Sequence, residues 1–278
     1  MVSQISYFEN DPRDIRNYRP ITLLNCDYKI WAKLIAARLK KVMDSIISHQ
    51  QKGFVPHHLI TSQTRLTKLL QAYLDETDEA GLIIFLDMEK AFDSCSHEYL
   101  VESMRRLGFG ETMVRRIAMV TCDAANPSNR PGPKRRLRVN GQKGPAFNLR
   151  AGVAQGCPIS ALAFLFITEG FTRLVESEQN FKGIKVNGVE HKLSQFADDT
   201  VLYLRGWAVL PKMWRTIDVW QECTGMQVNR SKTEGLRAGR LRHAHYTGAG
   251  TEGINWCEPG SYIAVSYTHL TLPTICSV

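Results

Sequence analysis

The sequence predicts an α+β fold, with a mostly antiparallel sheet backed by helices. Three observations predict it. Short apolar runs of strand length lie between longer stretches whose apolar residues recur at three- and four-residue steps. Two Asn-Gly pairs, Asn140-Gly141 and Asn187-Gly188, stand where hairpins would turn. Along the chain the elements run strand, helices, hairpin, helix, hairpin, helix.

Residues 28–49 read as an amphipathic helix, with Ile30, Trp31, Leu34, Ile35, Leu39, Val42 and Ile46 on one stripe and Asp27 as N-cap. A second helix fits residues 60–78, with Leu66, Leu69, Leu70, Tyr73 and Leu74 inward. Residues 82–86 are apolar without alternation, which predicts a strand covered on both faces and ending on Asp87. Residues 96–107 form a helix stopped by Gly108, and residues 112–122 another. Residues 123–138 then change character. Pro127, Pro131, Gly132 and Pro133 break regular structure while Arg130, Lys134, Arg135, Arg136 and Arg138 add charge, so this stretch reads as a basic, Pro-rich loop. A hairpin turns at Asn140-Gly141, and a long helix covers residues 159–178 with Pro158 leading in. After the second Asn-Gly turn, residues 194–204 form two short apolar arms around Asp198-Asp199. Residues 211–223 are helical and end at Gly225; beyond residue 235 no strong periodicity is visible.

Bulk properties narrow the function classes. A net charge of +8 favours a polyanionic partner, because clustered Lys and Arg attract phosphate backbones. No apolar run approaches the roughly eighteen residues of a membrane span, and the N-terminus has no charged-then-apolar leader pattern. The seven cysteines are scattered singly with no C-x-x-C pair, which points to reduced intracellular thiols rather than a disulfide framework or zinc site.

The chemistry concentrates on carboxylates. Asp87 ends a buried strand, and Asp198-Asp199 stand at a hairpin tip. If the two elements are neighbours in one sheet, three carboxylates meet at one edge, as two divalent ions about 3.5–4 Å apart require. Mg²⁺ suits such a cluster, because it binds through a few carboxylates and keeps positions for substrate phosphates. Alone, Asp-Asp is a common turn dipeptide. Phe92, five residues past Asp87, sits where a ring against an incoming sugar would exclude a 2′-hydroxyl; by periodicity alone a core residue is the safer reading. Gln155-Gly156 leads into the long helix, where glycine lets backbone approach closely and Gln155 can hydrogen-bond a nucleotide or template. Lys232 can support a leaving pyrophosphate or be an ordinary solvated lysine.

Taken together and in this order, the motifs resemble the reverse transcriptase of non-long-terminal-repeat, LINE-like retrotransposons. Asn17-Tyr18-Arg19-Pro20-Ile21-Thr22-Leu23-Leu24-Asn25 and Gln51-Lys52-Gly53-Phe54-Val55-Pro56 resemble two fingers motifs. Asp87 through Asp93 and Gln155-Gly156-Cys157-Pro158-Ile159-Ser160 resemble the first palm motifs. Phe196-Ala197-Asp198-Asp199 resembles the metal-binding box, and Gly225 through Lys232 the motif after it. The resemblance implies a right-hand polymerase, with fingers over residues 1–80, a palm over 81–264 interrupted near 123–138, and no thumb. It implies that Asp87, Asp198 and Asp199 hold two Mg²⁺ ions, with Mn²⁺ as a substitute. Phe92 would be the sugar gate, Gln155 and Gly156 would meet nucleotide and template, and Lys232 would assist pyrophosphate. The implied partners are an RNA template, a DNA primer or nicked target and dNTPs, with no membrane, and the implied location is the nucleus.

The sequence departs from the family pattern in three places. Phe8-Glu9-Asn10 replaces basic residues before Asp11-Pro12, with Arg13, Arg16 and Arg19 as partial substitutes. His57-His58 replaces the usual Gly-Arg after Val55-Pro56, and neutral His is the poorer phosphate clamp. Residues 265–274 resemble one reading frame of a sequencing adapter, so residues 265–278 read as a non-native tail on a truncated fragment; a β-rich natural segment is the alternative. Two other functions stay open. An RNA-dependent RNA polymerase shares the carboxylate logic, although Phe92 opposes it. An inactive remnant that only binds nucleic acid is the second.

Overall fold

The apolar run before Asp87 is the middle strand of the main sheet. The computed structural model describes residues 2–7, 13–14, 18–121 and 134–257. Its elements are β1 (Val2–Tyr7), β2 (Tyr18–Leu23), α1 (Cys26–Ile46), α2 (Ile60–Thr77), β3 (Gly81–Leu86), β4 (Met88–Glu89), α3 (Ala91–Ser94), α4 (His97–Arg106) and α5 (Glu111–Thr121). There follow β5 (Arg135–Val139), β6 (Gln142–Phe147), α6 (Ser160–Ser177), β7 (Ile184–Val186), β8 (Val189–His191), β9 (Leu193–Phe196) and β10 (Asp199–Leu204). Last come α7 (Leu210–Thr224), β11 (Gln227–Val228), β12 (Glu234–Ala238) and β13 (Asn255–Trp256). The Pro-rich residues 123–133, the departure at residues 8–11 and the adapter-like tail lie outside the described residues.

The main sheet has the order β13-β12-β3-β10-β9. β3 pairs antiparallel with both β10 and β12. Its lack of alternation follows from burial on both faces. Leu82, Ile84 and Leu86 join a large cluster with Phe164, Phe166 and Phe171 of α6 and Trp220 of α7. Ile83, pointing the other way, packs with Leu70 and Leu74 of α2, Tyr203 and Leu236. Removing such a side chain to Ala costs about 2–5 kcal/mol, because its neighbours collapse only partly onto the space.

The sheets are mixed rather than simply antiparallel. β12 and β13 pair in parallel, and a second sheet, β2-β1-β5-β6, contains a parallel β1–β5 pair. This second sheet corrects the loop expected up to residue 138, since Arg135–Val139 is a strand. The Asn140-Gly141 turn folds β6 back on β5, and backbone pairing overrides the charged composition. Arg136 and Arg138 remain exposed, while Arg135 is buried.

Two helices are rotated or capped differently from their sequence pattern. α1 starts after Asn25, which makes no side-chain cap bond, so Asp27 is a first-turn residue favoured by the helix dipole rather than the N-cap. Its buried residues are Ala32, Ile35, Ala36, Leu39 and Met43, while Ile30 and Leu34 are 62% and 60% exposed. α1 packs against α6, and Ile30 and Leu34 fall outside its buried face. α2 turns polar groups inward: Gln63 Nε2 donates to Ser194 O at 3.2 Å, and the Thr67 and Tyr203 hydroxyls lie 2.9 Å apart. Leu69 is left exposed. Among the described residues, no helix is long and apolar enough to cross a membrane.

Candidate active site

β3 and β10 bring the carboxylates to one end of the main sheet. Their last registered pair is Thr200 with Leu86, so Asp199 and Asp87 are the next residues of each chain beyond it. On the other side of β10, Phe196 pairs with Asp199, leaving Ala197-Asp198 as a two-residue turn. Ala197 has φ 57°, a left-handed position that usually goes to glycine. Asp87, Asp198 and Asp199 are all half-buried. The Asp199 carboxyl is pushed up from its ordinary 3.8 to about 7, chiefly by burial and then by the negative charges of Asp198 and Asp87. The three carboxylates therefore sense one another, although among the described residues no group of three His, Cys, Asp or Glu is drawn together tightly enough to cage an ion unaided. A donor set made only of oxygens, repelling itself and open to solvent on one side, suits a hard cation that takes its remaining ligands from water or phosphate.

The neighbouring segment is fixed by backbone bonds. β4 pairs with β11, and Asn229 N–H donates to Asp87 O at 2.8 Å. Lys232 N–H donates in turn to Asn229 O at 3.1 Å, which sets the exposed Lys232 in a single turn beside the strand that carries Asp87. Arg230 in the same turn is engaged elsewhere: its guanidinium lies 4.3 Å from the Trp214 ring centre and bonds Asp218.

The Phe92 and Gln155 segments are stitched together. Val153 N–H donates to Phe92 O at 2.7 Å and Gly152 N–H to Cys95 O at 2.8 Å. A Cβ on Gly152 would stand 2.6 Å from Asp93 O, and its φ is +82°, so both contact and conformation demand glycine there. The Phe92 ring stacks on Phe164 with centroids 4.6 Å apart and stays half-buried, so it is anchored in the core and partly exposed at once. Gln155 Nε2 faces Asp93 at 3.3 Å rather than open solvent, while Gln155 O accepts from Thr22 N–H of β2 at 3.0 Å. Gly156 has φ +94°. Arg19 lies on the same strand as Thr22, opposite Ser6. His58 is tied to the scaffold: Nδ1 is 2.9 Å from Gln51 O and Nε2 3.5 Å from Asp44.

Sequence reasoning gave no role to Gln51 or Asp93, or to the Asn229 amide. Gln51 is 1% exposed and its amide bonds both backbone groups of Ala197. The signal available was Gly53: a Cβ there would stand 2.3 Å from Ala197 N, so the segment had to pass flush against the turn.

A carboxylate-ended central strand beside a carboxylate-tipped hairpin, on a sheet backed by helices, defines a polymerase palm. The chain belongs to the reverse transcriptase (RNA-dependent DNA polymerase) family, whose sequence model matches residues 10–263. It is 29% identical over 234 residues to the transposon TX1 uncharacterized 149 kDa protein of Xenopus laevis, covering 84% of this chain and 17% of that protein. It is 27% identical over 232 residues to the Pol polyprotein of a type-1 retrotransposable element R2 from Popillia japonica, covering 81% of this chain and 30% of that protein. A probable RNA-directed DNA polymerase from transposon BS of Drosophila melanogaster shares 40% identity over 95 residues, 33% of this chain and 10% of that protein. The chain thus spans less than a third of these relatives' lengths. In fold it is similar to apo telomerase from Candida tropicalis truncated from its C-terminal domain, with TM-score 0.57 and 13% identity over 88% of this chain and 51% of that one. The resemblance to non-long-terminal-repeat elements is shown by these relatives.

Proposed function

We propose that this chain carries the polymerising centre that extends a DNA 3′-end with dNTPs on an RNA template. The carrying observation is the register of β3 and β10, which sets Asp87 beside Asp199 with Asp198 in the adjoining turn. Asp87, Asp198 and Asp199 would hold a pair of Mg²⁺ ions, or Mn²⁺ in their place. Once bound, such a pair supplies activation of the attacking hydroxyl and charge neutralisation at the leaving oxygen. Near neutral pH Asp199 holds a proton part of the time and yields it as a cation arrives, since its carboxyl titrates at about 7. Lys232 offers a mobile cation and proton donor toward the departing pyrophosphate, from the turn pinned to Asp87. Phe92, braced by Phe164, excludes a ribose 2′-hydroxyl. Gln155 and Gly156 shape the floor beneath nucleotide and template, with Gln155 oriented by Asp93, and Arg19 supplies backbone-phosphate attraction from β2. Residues 1–80 act as fingers and residues 81–264 as palm. Priming at a nicked chromosomal target and work in the nucleus are further parts of this proposal, drawn from the family resemblance alone.

Primer extension tests this directly: DNA primer, RNA template and Mg²⁺, with dNTPs or rNTPs. The expected result is weak deoxynucleotide addition by this stretch of chain, and its disappearance in Asp87→Asn. Parental extension by Asp87→Asn, or preferential use of ribonucleotides, would overturn the proposal.

A further inference from the structure

We infer that Gln51 is a positioning residue for the carboxylate turn: one buried side-chain amide holds Ala197 in its left-handed conformation and so sets where Asp198 and Asp199 present their carboxylates. The inference rests on the metal-binding reading above. Its basis is a hydrogen-bond pattern. Ala197 N–H donates to Gln51 Oε1 at 2.8 Å, and Gln51 Nε2 donates to Ala197 O at 3.2 Å. Both backbone groups of the strained residue are thereby bound by one planar amide, as a neighbouring strand would bind them. The rest of the amide's capacity is also engaged. Oε1 accepts a second bond from Gly53 N–H at 2.8 Å, and Nε2 lies 3.4 Å from Thr168 Oγ1 of α6.

The amide is itself held. Lys52 N–H donates to Gln195 O at 2.7 Å and Gln195 N–H to Gln50 O at 2.8 Å, so residues 50–52 run alongside β9. The Gln51 carbonyl meets His58 Nδ1 at 2.9 Å. Gln195 Oε1 accepts from Thr172 of α6, and its Nε2 donates to Thr200 Oγ1 at 3.1 Å, one residue past Asp199. A left-handed residue bearing a Cβ is strained, because the Cβ crowds the following carbonyl oxygen. Two bonds from a buried amide are enough to offset that, because each is made away from competing water. Without them, Ala197 relaxes toward ordinary φ and swings the next residue, Asp198, off the sheet edge. Gly53 serves the same end, since any side chain there would meet Ala197 N.

The experiment compares three variants of the full chain with the parent. Gln51→Met keeps length and bulk and removes every bond; Gln51→Glu keeps the accepting oxygen. Ser48→Ala is the control for a merely structural loss: Ser48, three residues before Gln51, bonds buried Glu169 of α6 but makes no bond to the turn. Two quantities are read: amide hydrogen exchange at residues 196–200, and Mn²⁺ affinity by the ion's paramagnetic resonance signal. Gln51→Met is expected to speed exchange at least tenfold and weaken Mn²⁺ binding roughly tenfold. Gln51→Glu should fall between it and the parent, and Ser48→Ala should lower melting temperature while leaving both readouts near parental. Parental exchange and affinity in Gln51→Met, or equal losses in Ser48→Ala, overturn the positioning role alone. A parent chain that binds no Mn²⁺ overturns the metal reading as well.

Discussion

Three hairpins among the described residues turn on two residues each, and they do not follow the same rule. Asn140-Gly141 and Asn187-Gly188 have positive φ at both positions, 47° and 83° in the first and 48° and 82° in the second. Asn and Gly tolerate those angles, so each turn is specified by its own two residues. Ala197-Asp198 has a positive φ only at its first residue, where glycine is favoured and alanine stands instead. This turn is specified from outside, by an amide about 150 positions earlier in the chain. Local satisfaction marks turns that only reverse the chain. The one turn that violates local preference carries the carboxylates, which is where a sequence is expected to trade stability for a site.

The largest test of that contrast exchanges acid and amide in both kinds of turn. Asp199→Asn preserves shape and removes a charge, and primer extension should fall roughly a hundredfold to thousandfold, the scale of several kcal/mol of lost charge stabilisation. Asn187→Asp should leave the rate within about twofold. Equal losses in the two variants would mean that the hairpins do not differ in function.

Next in size is a pH effect. The Asp199 carboxyl titrates at about 7 in the fold, against an ordinary 3.8. A raised carboxyl favours the folded state while it is protonated. Its contribution is complete below 3.8 and is lost as pH rises through about 7. Metal-free protein should therefore lose stability between pH 4 and 7, by on the order of 2–4 kcal/mol at most. Asp199→Asn should flatten that slope, and Mn²⁺ should restore stability above pH 7. Denaturant unfolding across pH, with and without the ion, measures all three. An unchanged slope in Asp199→Asn would remove the carboxyl from the explanation.

The same contrast explains what could be read in advance. Turns obeying their own residues were legible, as were β3 with its two buried faces and α6 with its length. The order of the site motifs was legible too, because each is a contiguous string. Features created by contact between distant segments were not. Ile30 and Leu34 fit a helical stripe with Ile35 and Leu39, yet only the latter two are buried, together with Ala32, Ala36 and Met43, so the buried face is rotated from the stripe. Residues 135–138 look like a charged loop until β1 and β6 supply pairing partners. Residues 234–238 show little periodicity because β12 lies between β3 and β13, and Gly235 leaves room for Ile254 and Trp256. Gln51 reads as an unremarkable polar residue until Ala197 arrives beside it.

A smaller effect is expected from steric pressure on the supported turn. In Gly53→Ala the new methyl would stand 2.3 Å from Ala197 N, with Phe196 and Ala197 backbone around it. Backbone cannot move aside as a flexible side chain would, so the turn or the 50–53 segment must shift. The variant should lose about 1–3 kcal/mol, the usual cost of overpacking, and also lose most of its Mn²⁺ affinity. Loss of stability with parental affinity would show that the turn keeps its shape without this close approach.

Gly188→Ala should give the smallest effect, and it isolates conformation from contact. Gly188 has φ +82° and nothing within 4 Å of where a Cβ would stand. The only cost is holding alanine in a left-handed conformation, about 1 kcal/mol. In a chain of this size that lowers the melting temperature by roughly 2–4 °C. Extension rate and Mn²⁺ affinity should match the parent, because β7 and β8 pair only with each other and reach the carboxylates through no shared strand. The strain added at Gly188 is of the same kind and size as the strain Ala197 already carries. If it nevertheless weakened ion binding, left-handed strain anywhere on these hairpins would be felt at the site, and the special status of the Ala197 turn would be lost.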